Sequence, residues 1–336
     1  MTDRPARDPF RTPTLIGVDA GTTNTRAWLV AGDRVLARRE AAVGARDTAR
    51  DGHDRALRAA LRALIAEVRA QAPAGLPEPV CVAAAGMITS AQGLHEVPHV
   101  TAPAGVAELA AGARDAVLPN VADLPFLFIP GVRTANGSAR PGVGATDVMR
   151  GEETLAIGLL RRGHLAPGGA LLNVGSHWKL IRIDDAGRVA GSVTSLAGEM
   201  MHAVRSETIL ASSLPSGPPA EPDVPLLLEG MDEARRSGLA RALFCVRLLD
   251  LAGTTTPAGR LSFLVGAFIG ADLGGLQARG ALAPGMAVTI AGDEKVAGAW
   301  SIALDRAGCA ARSLSTAETE AGFLAGLGAV VEARAR

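Results

Sequence analysis

The sequence predicts two α/β domains built on one repeated plan, and three observations carry that prediction. Its 336 residues suit about two domains. Strand-like apolar runs alternate with long helical patterns, as they do in α/β architectures. The chain also matches itself at a constant offset of 154 positions: Asp19 falls on Asn173, Gly21 on Gly175, Thr22 on Ser176, and Arg34-Val35 on Arg188-Val189. Order and spacing agree as well as residue type, which points to an internal duplication.

The elements follow in order. Leu15–Asp19 is an apolar strand that runs into the glycine turn Ala20–Thr23, and Leu171–Val174 runs likewise into Gly175-Ser176-His177. Each opens a meander of strand, tight turn, strand, turn and strand. Val80–Gly86 and Val288–Gly292 read as buried strands ending on glycine. Helical patterns cover Asp54–Ala70 before the first of these strands, and Asp232–Leu251 and Leu261–Arg279 before the second. Each half closes on a further helix, Gly151–Arg162 and Ala317–Ala333. The Gly/Arg/Pro-rich stretch 161–169 reads as a hinge, and Leu214–Pro225 as an exposed loop. The expected division is therefore 1–13 as a disordered N-terminus, 14–165 as one domain and 166–336 as the other.

A turn of glycine and small hydroxyl residues at the end of a buried strand presents backbone N–H groups that cradle phosphate oxygens. Gly21, Thr22 and Thr23 form the first such turn, and Gly175, Ser176 and His177 the second. Lys179 adds a candidate point charge. Asp19 would repel phosphate directly, but it makes sense as a carboxylate holding Mg²⁺ through water. No G-x-x-x-x-G-K-[ST] motif occurs, which excludes a P-loop.

These residues resemble the sugar kinase/Hsp70/actin superfamily. Asp19–Thr23 is similar to its first phosphate motif, Gly175–Lys179 to its second, and Ala291-Gly292-Asp293 to its adenosine motif. More narrowly, DAGTTNTRAWL (19–29), AGMI (85–88), IPG (129–131), DVMRGEETLAIG (147–158) and GSHWK (175–179) resemble the 2-dehydro-3-deoxygalactonokinase family. MRGEET is the most specific of these segments. Ser176 stands where the family pattern has Thr, and Leu180 where it has Trp. Both changes keep the chemical character, and they leave the role of Trp178 open.

The resemblance implies duplicated actin-like ATPase (ribonuclease H-like) domains around a nucleotide cleft that closes over its substrates. It also implies an ATP- and Mg²⁺-dependent kinase that moves the γ-phosphoryl group to the terminal (6-) hydroxyl of a 2-keto-3-deoxy sugar acid, 2-dehydro-3-deoxy-D-galactonate. The first domain would carry the first phosphate turn and the substrate side, and the second domain the second turn and the adenosine site. Gly292 and Asp293 would serve adenosine.

Phosphoryl transfer also needs a group to take the acceptor's proton. Glu152 ranks first, followed by Glu153 and Asp147. An acidic substrate calls for cations. Arg26, just past the first turn, and Arg150, just before the acid pair, are placed to grip a carboxylate. Asn24, Gly86, Met87 and His99 complete the substrate-side candidates.

Composition bounds the alternatives. The 34 basic and 34 acidic residues balance, which speaks against nucleic-acid binding. Cys81, Cys245 and Cys309 are scattered and form no disulfide framework. Leu261–Leu276, the longest apolar stretch, is broken by Asp272 and several glycines, so no membrane span is expected. A cytoplasmic protein follows, with a homodimer left open. Two literal motifs are declined. His95–His99 matches H-E-x-x-H, but Pro98 lies inside it and forbids the continuous helix a zinc site needs. Ser176-x-x-Lys179 lacks the partner motifs of penicillin-recognising enzymes. The sequon Asn136-Gly137-Ser138 matters only in a secreted chain. An exopolyphosphatase-like phosphohydrolase of the same superfamily and a non-catalytic nucleotide- or sugar-binding protein remain the alternatives.

Overall fold

The computed structural model describes residues 14–134, 142–215 and 221–336. The expected disordered N-terminus 1–13, the sequon 136–138 and the middle of the Pro-rich loop lie outside the described residues. By their internal contacts the residues fall into two units. One holds the chain up to His164 with Gly187–Gly191 and Glu320–Arg336, and the other holds Leu165–Ala186 with Ser192–Thr319.

In the first unit β1 (Thr14–Ala20), β2 (Thr25–Ala31) and β3 (Arg34–Ala41) form an antiparallel meander. The chain continues through α1 (Ala45–Asp51) and α2 (Arg55–Arg69) to β4 (Val82–Gly86), which pairs parallel to β1. Then come β5 (Val100–Thr101), α3 (Val106–Gly112), β6 (Arg114–Val117), β7 (Pro125–Phe128), β8 (Val132–Thr134), β9 (Asp147–Met149) and α4 (Glu152–Arg161). The main sheet has the order β3-β2-β1-β4-β7-β6, and β5-β8-β9 form a small second sheet. Leu57, Leu61, Leu64, Ile65 and Val68 make one apolar stripe on α2. They join Ile16, Val18, Leu29, Phe126 and Phe128 from the sheet in the core.

The second unit repeats the plan. β10 (Ala170–Val174), β11 (Trp178–Ile183) and β12 (Val189–Ser195) form the meander. Next are α5 (Ala197–Glu207), α6 (Val224–Ser237), α7 (Leu239–Ala252) and α8 (Pro257–Ala278). β13 (Ala287–Gly292), α9 (Glu294–Arg306), β14 (Ala310–Ser313) and α10 (Thr316–Arg334) complete the chain. The sheet order β12-β11-β10-β13-β14 matches β3-β2-β1-β4-β7 strand for strand. This is the duplicated actin-like ATPase fold.

Several boundaries differ from the sequence expectation. The pattern over Asp232–Leu251 is two helices, broken where Gly238 adopts φ +83°. Pro225 opens α6 instead of closing a loop, because a first-turn proline forfeits no helical hydrogen bond. The stretch expected to be too interrupted for a span is the continuous 22-residue α8, which by length and composition is long and apolar enough to cross a membrane. Its glycines do not break it because they admit α6 at backbone contact. A Cβ at Gly266 would strike the Leu227 carbonyl, and one at Gly270 would lie 2.5 Å from that of Met231. Most of α8 is thereby buried in the core of its unit.

The last helix was grouped by sequence with residues 166–336, yet from Glu320 onward it packs in the first unit. Gly158 on α4 meets the Gly322 carbonyl with no side chain between, Gly326 meets the Thr154 carbonyl, and Phe323 lies 6.0 Å from Trp28.

Candidate active site

The two glycine turns are built alike. In the first unit the carbonyls of Gly21 and Thr22 accept the N–H groups of Ala45 and Arg46 at the start of α1, at 3.1 and 2.9 Å. In the second the Ser176 carbonyl accepts the Glu199 N–H at the start of α5, at 2.8 Å. With their carbonyls turned to a helix start, the N–H groups of Thr22, Thr23, Ser176 and His177 have no partner among the described residues. Unpaired amides grouped in this way suit phosphate oxygens. The approach requires Gly44, where a Cβ would stand 2.5 Å from the Thr22 carbonyl, and Gly198, where it would strike the Gly175 carbonyl. Gly44 and Gly198 are themselves related by the 154-position offset, so the self-comparison already held this signal.

A second shared device ends the neighbouring strand. Gly86 pairs with Ala20 and Gly292 with Val174, and both glycines have positive φ, +92° and +119°. A Cβ at Gly86 would sit 2.7 Å from the Ala20 carbonyl and 3.1 Å from the Asp19 carboxylate. At Gly292 it would collide with Val174. The Asp293 carboxylate caps α9, accepting the N–H groups of Lys295 and Val296 at 3.0 Å each.

Chemistry gathers in the first unit. Asp19 faces Arg26 across β1 and β2, and a guanidinium N–H donates to its Oδ2 at 3.2 Å. Burial pushes the Asp19 carboxyl up to about 6. Arg26 opposes that rise, and the charge of Glu152 adds to it. Gly151, with φ +104°, lies against Gly86, its Cβ position 3.3 Å from the Gly86 Cα. Glu152 follows directly and accepts the Arg150 N–H at 3.1 Å. The first glycine turn, Asp19, Gly86 and the acid at the start of α4 thus converge.

Glu153 is wholly buried, at 0% exposure. Both its oxygens lie 2.9 Å from the Gly151 nitrogen, and the Thr154 hydroxyl donates to Oε1 at 3.1 Å. Burial, with Glu152 beside it, pushes its carboxyl up to about 7. Asp147 stands apart at the opening of β9, paired with Thr134.

Arg150 is a strut. Its guanidinium donates to Thr89 Oγ1 and the Val97 carbonyl, both at 2.9 Å, and lies 3.4 Å from His99 Nδ1. Burial lowers its pKa. Met87 opens the short 3₁₀ turn to Thr89, whose hydroxyl donates back to the Gly86 carbonyl at 2.9 Å. Sequence reasoning takes the loop Ala85–Thr89 as substrate-side, and the structure adds that Thr89 is the joint between these segments. Asn24 is exposed in the first turn, its amide 3.1 Å from Thr23 Oγ1. The segment His95–His99 is not helical. His95 stacks on Phe128 while His99 adjoins Arg150, so the zinc pattern has no structural counterpart.

In the second unit Asn173 occupies the place of Asp19 and faces Lys179, which is only 5% exposed. His177 Nε2 lies 3.7 Å from Glu199. Trp178 is a core residue, edge-on to Trp300 at 5.5 Å. It also walls a cavity of ≈ 190 Å³ with Leu172, Leu180, Ser195, Asp272 and Arg279, and none of the candidate site residues lines that cavity.

The sequence profile of the 2-keto-3-deoxy-galactonokinase family matches residues 19–330. The chain belongs to that family. It is similar to the 2-dehydro-3-deoxygalactonokinase of Escherichia coli K12, at 27% identity over 96% of this chain and 99% of the relative. A crystal structure of a candidate 2-dehydro-3-deoxygalactonokinase from Sinorhizobium meliloti superposes with a TM-score of 0.73 at 28% identity, covering 95% and 98% of the two chains. Component A of the (R)-2-hydroxyglutaryl-CoA dehydratase of Acidaminococcus fermentans shares the fold, with a TM-score of 0.52 at 14% identity over 96% of this chain and 99% of that one. As a member of the 2-keto-3-deoxy-galactonokinase family the chain is a carbohydrate kinase that uses ATP. That membership does not favour the phosphohydrolase or the non-catalytic alternative.

Proposed function

We propose that this kinase transfers the γ-phosphoryl group of ATP to the terminal (6-) hydroxyl of 2-dehydro-3-deoxy-D-galactonate, in the cytoplasm. The observation that carries the mechanism is the convergence of Glu152 on Asp19 through the bare backbone contact of Gly86 and Gly151. Glu152 accepts the proton of the substrate hydroxyl. The hydroxyl oxygen bonds to the γ-phosphorus as the bond from that phosphorus to the ADP oxygen breaks, leaving ADP and the phosphorylated sugar acid. The amides of Thr22 and Thr23, and those of Ser176 and His177, take phosphate oxygens, with Gly292 and Asp293 serving adenosine. The carboxylate of Asp19, raised by burial and only part-neutralised by Arg26, suits a divalent cation. Mg²⁺ held there through water would neutralise phosphate charge. Asn24 and Arg26 serve the acidic substrate. Arg150, whose side chain is engaged with Thr89 and Val97, shapes that side of the site.

The test is ADP release by the purified protein with Mg²⁺ and ATP, with and without the sugar acid. Release that depends on the sugar acid is the expected outcome. Release without it would point to a phosphohydrolase and overturn the reading. Glu152→Gln should lower kcat by ~10²–10⁴-fold, the range for a lost general base. The KM for ATP should stay near that of the unaltered enzyme.

A further inference from the structure

A buried carboxylate is costly unless its oxygens are used. Those of Glu153 are used at the opening of its own helix, by the Gly151 N–H, the Thr154 hydroxyl and its own backbone N–H. Gly151 is held in a backbone conformation that disfavours any residue with a Cβ. It abuts Gly86, and Gly86 abuts the Ala20 carbonyl and the Asp19 carboxylate. A line of contacts therefore runs from Glu153 through two bare glycines to Asp19, and Glu152 is the residue between Gly151 and Glu153.

Two further holds act on the same turn. From the front, Arg150 donates its N–H to Glu152 while its guanidinium is tied to Thr89 and Val97. From behind, the Thr154 carbonyl rests on Gly326 of α10.

We propose that Glu153 is a positioning residue for phosphoryl transfer: its buried carboxyl group clamps the Gly151 N–H and so fixes Glu152 beside Asp19. The proposal rests on the reading of Glu152 as the proton acceptor. The clamp needs acceptor oxygen at that reach and does not need reactivity. Glutamine supplies such an oxygen and alanine does not.

The test uses the full chain with three substitutions, E152Q, E153Q and E153A. Sugar-acid-dependent kcat and both KM values are measured beside thermal unfolding. Amide hydrogen exchange of the peptide spanning residues 150–155 is followed in parallel. E153A should lose ~10²-fold in kcat, the scale of an ångström-sized misplacement. Its KM for ATP should be little changed, and exchange at 150–155 should speed up. E153Q should keep that peptide protected and recover kcat to within about ten-fold of the unaltered enzyme, the scale of one weakened hydrogen bond. E152Q should stay slow with its peptide protected.

E153Q as slow as E152Q would overturn the proposal by showing that the Glu153 carboxylate is itself needed for chemistry. E153A with unaltered kcat and exchange would overturn it from the other side. If E153A does not fold, the comparison of E153Q with E152Q decides alone. An unaltered enzyme that never turns over the sugar acid would sink the reading of Glu152, while the exchange data would still report on the clamp.

Discussion

The two halves of this chain set the same backbone machinery around different chemistry. Both have a glycine turn whose carbonyls face a helix start, a glycine that admits that helix (Gly44, Gly198), and a positive-φ glycine closing the neighbouring strand (Gly86, Gly292). What differs is charge. The first unit puts Asp19 at the strand end and gathers Arg26, Glu152 and Glu153 near it. The second has Asn173 at the same position, facing Lys179, and spends its following acid, Asp293, on capping a helix. Amides without a partner among the described residues occur in both turns, whereas the strand-end acid raised by burial, with Glu152 adding to that rise, belongs to the first unit.

The sharpest way to break this comparison is to make the first turn like the second. Asp19→Asn leaves the turn's backbone in place and removes the carboxylate. It should lower kcat by ~10²-fold or more, as losing an electrostatic group at the reacting centre does. ATP should still bind with similar affinity, read by calorimetry. Unchanged turnover would mean that the charge difference is incidental.

A second difference is testable by pH. The Glu153 carboxyl is raised from 4.5 to about 7 in the folded protein. Between those values the native state keeps a proton that the unfolded chain gives up. Stability is therefore complete below about pH 4.5 and is lost as pH rises through about 7. The loss is about 3 kcal/mol at most. Thermal unfolding of the unaltered protein should show that decline as pH rises from about 4.5 to about 7, and E153Q should remove the Glu153 share while leaving the smaller share of Asp19, whose carboxyl burial raises to about 6. An equal decline in E153Q would assign the effect elsewhere.

The smallest expected effect concerns what the halves share. Gly44→Ala and Gly198→Ala should each destabilise the protein by about 1–3 kcal/mol, the usual cost of forcing atoms into filled space. Measured by denaturant unfolding, similar losses would support the equivalence of the two turns. Tolerance at one and not the other would show that the match is only in sequence.

Much of this was legible before any coordinates. The offset of 154, the strand ends at Asp19 and Val174 and the closing glycines Gly86 and Gly292 are local signals, and buried strands and tight turns write themselves into residue type and spacing. The kinase family too was readable, from MRGEET and the two turns. What the chain's order could not hold is which residues work on one another across distance. From the sequence Glu152 ranks ahead of Glu153 and Asp147 without any contact to separate them, Arg150 reads as a free cation, and the last helix reads as part of the second half.

Tertiary packing supplied the contacts that sequence order lacks. Burial turned Glu153 inward onto Gly151, Thr89 and Val97 claimed the guanidinium of Arg150, and Gly322 and Gly326 drew α10 onto α4. Residue type and spacing determined the frame, because backbone geometry is local. Which acid is buried and which adjoins Asp19 was decided only by packing, because desolvation and hydrogen-bond partners come from segments far apart in the chain.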